Sequence, residues 1–112
     1  MLLAHLNLDV ADLARATDFY ATAFELPVER GESQTTIRWP SFLLVLTPGT
    51  PRTSDNFHFG FRLDSREEVD AWFEKLRTRN VPIVAEPMVK GKTYVGRITD
   101  PDAYVVEIFA FV

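Results

Sequence analysis

Polar and apolar positions alternate along two short segments, and each segment begins with one of the chain's two histidines. Residues 5–10 read His-Leu-Asn-Leu-Asp-Val, and residues 58–63 read His-Phe-Gly-Phe-Arg-Leu. A period of two is typical of a half-buried strand that has one apolar and one polar face. The pattern therefore predicts that His5 and His58 project from the polar faces of two equivalent strands.

A helical pattern and three extended runs follow each of these strands. The first helix is predicted to begin at Ala11 or Asp12 and to end before Pro27. The second begins at Ser65, because Ser65 and Glu68 form a capping box, and Asn80 can close it in the left-handed conformation. The extended runs are residues 26–30, 34–39, 42–47, 81–89, 94–99 and 103–111. The chain is thus predicted to be an α+β protein built from two βαβββ units.

A segment rich in proline, glycine and hydroxyl residues separates the two patterns. We therefore expect one domain, residues 1–112, with unit 1 at residues 1–47, a linker at 48–55 and unit 2 at 56–112. Aligning the final strands of the units pairs Val45 with Glu107. The second unit is longer, chiefly over residues 88–94, where two lysines and a glycine indicate a mobile loop.

Composition restricts the classes of function. The net charge of −4 makes nucleic acid an unexpected partner, because phosphate binding requires a basic patch. The absence of cysteine excludes disulfides, thiolate nucleophiles and cysteine-based zinc sites. No secretory leader and no apolar run long enough to span a membrane is present, so we expect a cytoplasmic protein that does not associate with membranes.

The whole chain resembles the vicinal oxygen chelate superfamily, which includes glyoxalase I, bleomycin-resistance proteins, extradiol dioxygenases and fosfomycin-resistance proteins. The resemblance is carried by His5, residues 9–13, 19–20 and 24–28, His58, and residues 79–82 and 100–108. The family's usual turn is Asp-Pro-Asp-Gly-Asn, and here Ala103 and Tyr104 replace the last two residues. The resemblance implies that the two units form a curved, eight-stranded, partly open cup.

The resemblance also implies a metal site. Its positions correspond to His5, Val45, His58 and Glu107, of which all but the valine can bind a metal. Two imidazoles and one carboxylate would leave coordination positions open, as catalytic sites do. The ion could be Fe, Mn, Ni, Co or Zn, and Glu107 is the expected catalytic residue. The alternative is an ion pair of Glu107 with Arg62 or Arg97 in a cup without metal.

We expect a small-molecule substrate that offers two adjacent oxygens to the ion. The expected substrate contacts are Asn7, Arg38, Trp39, Arg62, Tyr94 and Arg97. Jointly, the arginines indicate an anionic or oxygen-rich compound. The protein is thus predicted to be a small metal-dependent enzyme of the lyase, isomerase, transferase or dioxygenase class.

Two other functions remain open. One is a metal-free drug-binding protein of the bleomycin-resistance type, and the other is an interaction module. Val45 removes a carboxylate ligand that glyoxalase I uses, so that activity is not expected. A homodimer is expected, because sheet edges must be covered or paired. His5 could then share a site with His58 and Glu107 of its own chain or of the partner chain.

Overall fold

A computed structural model describes residues Met1–Val112. The chain divides into two units, Met1–Arg52 and Thr53–Val112, and the boundary between them falls within the predicted linker. Unit 1 consists of β1 (His5–Val10), α1 (Leu13–Thr22), β2 (Val28–Arg30), β3 (Thr35–Trp39) and β4 (Phe42–Pro48). Unit 2 consists of β5 (His58–Arg62), α2 (Arg66–Thr78), β6 (Ile83–Lys90), β7 (Thr93–Thr99) and β8 (Val105–Phe111). The predicted α+β fold with two βαβββ units is confirmed. Neither helix is long and apolar enough to cross a membrane.

Unit 1 contains one four-stranded sheet in the order β1-β4-β3-β2, in which β1 runs parallel to β4. The apolar residues of the alternating patterns are buried on one side of this sheet: Leu8, Val10, Ile37, Leu44 and Leu46. Helix α1 packs on that side and buries Tyr20 and Thr17. The hydroxyl of Thr17 lies 2.7 Å from the hydroxyl of Thr35 on β3. The opposite side of the sheet carries the polar set that begins with His5.

Unit 2 repeats this arrangement in the order β5-β8-β7-β6, with β5 parallel to β8. Helix α2 buries Val69, Phe73 and Leu76. The Phe73 ring lies against Gly96 on β7, where an added Cβ would come within 2.3 Å of the ring. Gly96 and Ile98 therefore face α2, and the alternate residues of β7 face the other side of the sheet.

The two registers place the histidines at equivalent positions. In unit 1 His5 is opposite Leu43, and Asn7 is opposite Val45. In unit 2 His58 is opposite Val105, and Gly60 is opposite Glu107. The predicted equivalence of Val45 and Glu107 is confirmed, because each lies opposite the residue two positions after its histidine.

The helix ends follow local capping chemistry. Asp12 accepts a hydrogen bond from the amide of Arg15, and Ser65 accepts one from the amide of Glu68, which confirms the predicted capping box. Asn80 has φ 61° and closes α2 as predicted. Helix α1 ends at Thr22, five residues before Pro27, and Glu25 in the connection has φ 56°.

The predicted mobile loop at residues 88–94 is wrong. Strand β6 continues to Lys90 and β7 begins at Thr93, so only Gly91 and Lys92 form the turn of a regular hairpin. Gly91 has φ 57°, which two-residue hairpin turns require. The extra length of unit 2 extends this hairpin and forms two bulges in β6 between Ile83 and Met88.

The turn before β8 places an alanine in the left-handed region. The Asp100 carboxylate accepts hydrogen bonds from the amides of Asp102 and Tyr104, each at 2.9 Å, and Ala103 has φ 69°. An L-residue pays about 1–2 kcal/mol for this conformation, and glycine pays little.

Ala103→Gly is therefore expected to raise the free energy of unfolding by about 0.5–1 kcal/mol, after the greater unfolded-state entropy of glycine is subtracted. Urea denaturation measures this change. Ala71→Gly in the exposed part of α2 is the matched control and should lower stability by up to about 1 kcal/mol. A loss of stability in both variants would contradict the strain at Ala103.

Candidate metal and ligand site

The side chains of His58 and Glu107 meet on the face of the unit 2 sheet that is turned away from α2. His58 Nε2 lies 3.6 Å from Glu107 Oε1. The parallel pairing of β5 with β8 produces this proximity, because Glu107 stands opposite Gly60, two residues beyond His58 on the same face. The structure thus brings together two of the three predicted metal ligands.

A backbone contact favours one tautomer of the neutral His58 ring. His58 Nδ1 lies 3.1 Å from the carbonyl oxygen of Asn56, which can only accept a hydrogen bond. The contact therefore assigns the proton of the neutral ring to Nδ1 and leaves a lone pair on Nε2. Histidines that bind metals commonly have their second nitrogen oriented in this way by a carbonyl or carboxylate.

The second oxygen of Glu107 is held by an arginine. Arg97 stands opposite Glu107 in the antiparallel pairing of β7 with β8, and its Nε donates to Oε2 at 2.8 Å. The side chains are 33% and 19% exposed, so the ion pair is only partly shielded from water. The terminal nitrogens of Arg97 have no protein partner, and they remain available to a ligand.

Small residues flank this ion pair on both sides. Gly60 lies next to Glu107, and Ala85 lies next to Arg97 on β6. A Cβ at Gly60 would lie only 3.1 Å from that of Glu107 and 3.4 Å from the ring of Phe109. Because Gly60 has no side chain, there is space beside β5 for the Glu107 carboxylate and the Phe109 ring.

Two further expected contacts of unit 2 lie on opposite faces. Arg62 is on the Glu107 face, where its guanidinium lies 5.7 Å from the centre of the Phe111 ring. Tyr94 is three residues from Arg97 on β7 and therefore faces the other way. Its hydroxyl donates to Asp70 on α2 at 2.6 Å, and Arg66 stacks on its ring. The structure does not bring Tyr94 to the His58–Glu107 pair.

The hydrogen bond to Asp70 raises the pKa of Tyr94, because loss of the phenolic proton would break the bond and place a second negative charge beside the carboxylate. Asp70→Asn is therefore expected to lower this pKa toward its ordinary value. Phenolate absorbance during alkaline titration measures the shift. A raised folded-state pKa favours the folded state below the unfolded-state value of about 10, and this contribution is lost as the pH rises through the folded-state pKa.

Glu67→Gln removes an equal charge from the first turn of α2 without touching this hydrogen bond and serves as the control. It should leave the titration of Tyr94 nearly unchanged. Equal shifts in both variants would mean that helix charge, and not the hydrogen bond, sets the pKa.

In unit 1, the predicted residues also divide between the faces of the sheet. His5, Asn7 and Arg38 share the polar face, where His5 and Arg38 both stand opposite Leu43. The Asn7 amide donates to the hydroxyl of Thr47 at 3.1 Å, and Arg38 Nε donates to Glu29 at 2.8 Å. Trp39 adjoins Arg38 along β3 and therefore faces the α1 side.

A cleft of about 300 Å³ lies on the α1 side of the unit 1 sheet. Its walls include Leu13, Thr17 and Arg30, and none of the predicted site residues lines it. Arg30 is engaged with Asp18 at 2.7 Å. The cleft is therefore not part of the predicted site.

The distance between the two donor atoms is suitable for a divalent ion. Typical metal–ligand bonds of about 2.1 Å at a near-tetrahedral angle separate a nitrogen and an oxygen ligand by about 3.4 Å. The 3.6 Å between His58 Nε2 and Glu107 Oε1 fits such a pair. No group of three or more potential ligands occurs together in the structure. Unit 2 therefore supplies two fitting ligands, and His5 belongs to unit 1.

Two features that position His58 and Glu107 were not predicted from the sequence: the carbonyl of Asn56 and the glycine at position 60. A signal for Gly60 was present, because it is the one residue without a side chain on the polar face of the second alternating segment. No sequence signal identified the Asn56 carbonyl, since any residue supplies one.

Comparison of the fold with solved structures finds close similarity over nearly the whole chain. A possible glyoxalase from Bacillus cereus is 29% identical with a TM-score of 0.81, over 96% of this chain and 97% of that one. A glyoxalase/bleomycin resistance protein/dioxygenase family enzyme from Burkholderia phytofirmans PsJN gives 15% identity and a TM-score of 0.86 over 100% of both chains. A genomically encoded fosfomycin resistance protein from Listeria monocytogenes gives 23% identity and 0.83, over 100% of this chain and 94% of that one.

Two comparisons were made at the level of sequence families and curated proteins, and only the first gives a match. No curated protein matches the chain significantly. The family model described as Glyoxalase/Bleomycin resistance protein/Dioxygenase superfamily matches residues 2–108. The matched residues include both βαβββ units except the last three residues of β8. The chain therefore belongs to the Glyoxalase/Bleomycin resistance protein/Dioxygenase superfamily.

Proposed function

We propose that this protein is a small metal-dependent enzyme whose ion is held by His58 and Glu107. One observation carries the proposal. His58 Nε2 faces a carboxylate oxygen at 3.6 Å, and when the ring is neutral the contact of Nδ1 with the Asn56 carbonyl places the proton on Nδ1, so two lone pairs point into one gap. Such an arrangement is favourable when a cation occupies the gap.

His5 is proposed as the third ligand, because it occupies in unit 1 the position that His58 occupies in unit 2. The set of two histidines and one carboxylate is also the one that the family resemblance implies. Val45 at the position equivalent to Glu107 offers no ligand atom, so positions remain for a substrate. Fe, Mn, Ni, Co and Zn all suit such a set.

When bound, the ion would supply Lewis acidity toward a substrate with two adjacent oxygens. Glu107 is proposed as the catalytic residue, because its carboxylate supplies the negative charge at this point. Arg97 positions that carboxylate through Oε2 and leaves Oε1 directed at His58. Asn7, Arg38 and Arg62 remain proposed substrate contacts, whereas Tyr94 and Trp39 are left out because they face the helices.

Metal titration by calorimetry tests the proposal. Mn²⁺ and Zn²⁺ should each bind the chelator-treated protein with one ion per chain. His58→Ala and His5→Ala should each weaken binding by more than roughly 100-fold, because each removes a direct ligand, and loss of a group that only hydrogen-bonds to a ligand already costs about 10–100-fold. Asn7→Ala is the control on the same polar face as His5. Equal affinity in the wild type and His58→Ala would show that any ion binds elsewhere.

The second candidate is a metal-free small-molecule-binding protein of the bleomycin-resistance type. The 2.8 Å ion pair of Arg97 with Glu107 favours it, because a cation already neutralises the carboxylate. Melting temperature measured with and without a chelator separates the two functions. An ion that binds only the folded state stabilises it, so chelation should lower the melting temperature of a metalloprotein and leave a metal-free binder unchanged.

We also propose a homodimer, because each four-stranded sheet has two terminal strands whose outer backbone groups lack partners within that sheet. Pro87 and two bulges already protect the edge of β6 against pairing, so the dimer is proposed to cover the edges of β1, β2 or β5. Sedimentation equilibrium at micromolar concentration should give twice the chain mass of 12.8 kDa. A mass of one chain at that concentration would contradict the dimer.

A further inference from the structure

Beyond His58 and Glu107, the same face of the unit 2 sheet changes from polar to apolar along β8. Residues 105, 107, 109 and 111 share this face, and the aromatic rings of Phe109 and Phe111 follow Glu107 in order. Their ring centres lie 5.7 Å apart in an edge-to-face contact. On β6, Met88 lies in the same cross-strand row as Phe109 and Val95. The face therefore has a charged end and an apolar end.

The charge of this face is opposite to that of the chain. Among the strand residues that project from it, Arg62, Lys90 and Arg97 are cationic, and Glu107 is the one carboxylate. The whole chain has a net charge of −4. Arg62 contacts the Phe111 ring and no carboxylate, and the terminal nitrogens of Arg97 are free. A local excess of positive charge without partners selects an anion.

Apolar exposure on this face is concentrated beyond the ion pair. Phe111 is 60% exposed and Met88 is 56% exposed, although both lie in paired strands. Met88 and Phe111 lie two strands apart on this face, and large apolar side chains exposed on one face of a sheet often mark a ligand-binding surface. Successive residues on one face of a strand are about 7 Å apart, so an organic acid held at Arg97 reaches Phe109 with its second group.

From this juxtaposition we propose that the ligand is a small monoanionic organic acid with an aryl or branched alkyl arm. Its carboxylate binds the terminal nitrogens of Arg97, and its arm lies along β8 on Phe109 and Phe111. The inference rests on the proposed function in one respect: the oxygen on the carbon next to the carboxylate is placed beside His58 and Glu107, where the proposed metal ion would bind it. It specifies the substrate class: 2-oxo or 2-hydroxy acids that carry an apolar arm.

Calorimetric titration with three compounds tests this inference on protein supplied with saturating Mn²⁺. Phenylpyruvate has the acid and the arm, pyruvate has only the acid, and 1-phenyl-1,2-propanedione has adjacent oxygens and the arm without charge. Phenylpyruvate is expected to bind roughly tenfold or more tightly than either, because burial of a ring and pairing with an arginine each contribute at least this factor.

Variants locate the arm. Phe111→Ser should remove most of the preference for phenylpyruvate over pyruvate, and its exposure makes the change compatible with folding. Phe109→Leu is a second variant and should reduce the same preference. Val89→Ser is the matched control, because Val89 is 49% exposed in the same hairpin but stands opposite Tyr94, on the α2 face. It should leave all affinities unchanged.

The outcomes separate this inference from the metal proposal. Equal binding of phenylpyruvate and pyruvate, a preference that survives both phenylalanine variants, or no binding of either acid overturns the inference. Binding of the neutral diketone as tight as that of phenylpyruvate also overturns it. If the predicted preferences occur but the affinity for each compound is identical without Mn²⁺, the inference stands and the metal proposal fails.

Discussion

Glu107→Gln is expected to lower the affinity for Mn²⁺ or Zn²⁺ by more than roughly 100-fold and to abolish any metal-dependent turnover. Glutamine keeps the shape of glutamate and an oxygen that can accept from Arg97, but it removes the negative charge that the ion requires. Calorimetric metal titration of the variant beside the wild type measures the loss. The fold should persist, because the core of unit 2 is formed by apolar residues on the other side of the sheet.

Stability measurements on the metal-free Glu107→Gln protein provide the control. Its free energy of unfolding should fall by only about 1–1.5 kcal/mol, since one charge-assisted hydrogen bond in a partly exposed pair becomes a neutral one. Glu86→Gln weakens an exposed pair with Arg77 and should change neither metal affinity nor stability by much. Unchanged metal affinity in Glu107→Gln would remove Glu107 from the site.

Phe73→Ala is expected to lower the free energy of unfolding by about 3–5 kcal/mol. The ring is 1% exposed and packs directly on Gly96, which has no side chain that could fill the space if the ring were removed. The substitution leaves a cavity between α2 and β7 that the sheet cannot close. Urea denaturation followed by tryptophan fluorescence measures the effect.

Phe111→Ala removes the same number of atoms from a ring that is 60% exposed and is the matched control. It should lower stability by less than about 1 kcal/mol, because little apolar area is returned to water. If Phe73→Ala costs no more than Phe111→Ala, then Phe73 does not anchor α2 to the sheet.

The parts of the fold set by local chemistry could be predicted from the sequence. The alternation after His5 and His58 identifies two strands with a polar face, and the capping box at Ser65 places the start of α2 correctly. Gly91 signalled a turn, but its length depends on how far β6 and β7 pair, which is a tertiary property. The hairpin was therefore mistaken for a loop.

The candidate site was only partly predictable for the same reason. Either Arg62 or Arg97 could have paired with Glu107, and only the register of β7 on β8 places Arg97 opposite it. Strand parity could have separated Tyr94 from Arg97, because residues three apart face opposite sides. The hydrogen bond from His58 to the Asn56 carbonyl depends on the backbone path before β5, which no side-chain pattern encodes.

A crystal structure of the protein soaked in Mn²⁺ or Zn²⁺, with anomalous diffraction recorded at the metal edge, tests the central claim most directly. The account predicts an anomalous peak about 2.0–2.3 Å from both His58 Nε2 and Glu107 Oε1. An imidazole of His5, from the same chain or from a partner, is expected as the third ligand. A map with no peak between these atoms, while Arg97 still holds Glu107, would contradict the metal site and leave the metal-free binder as the better account.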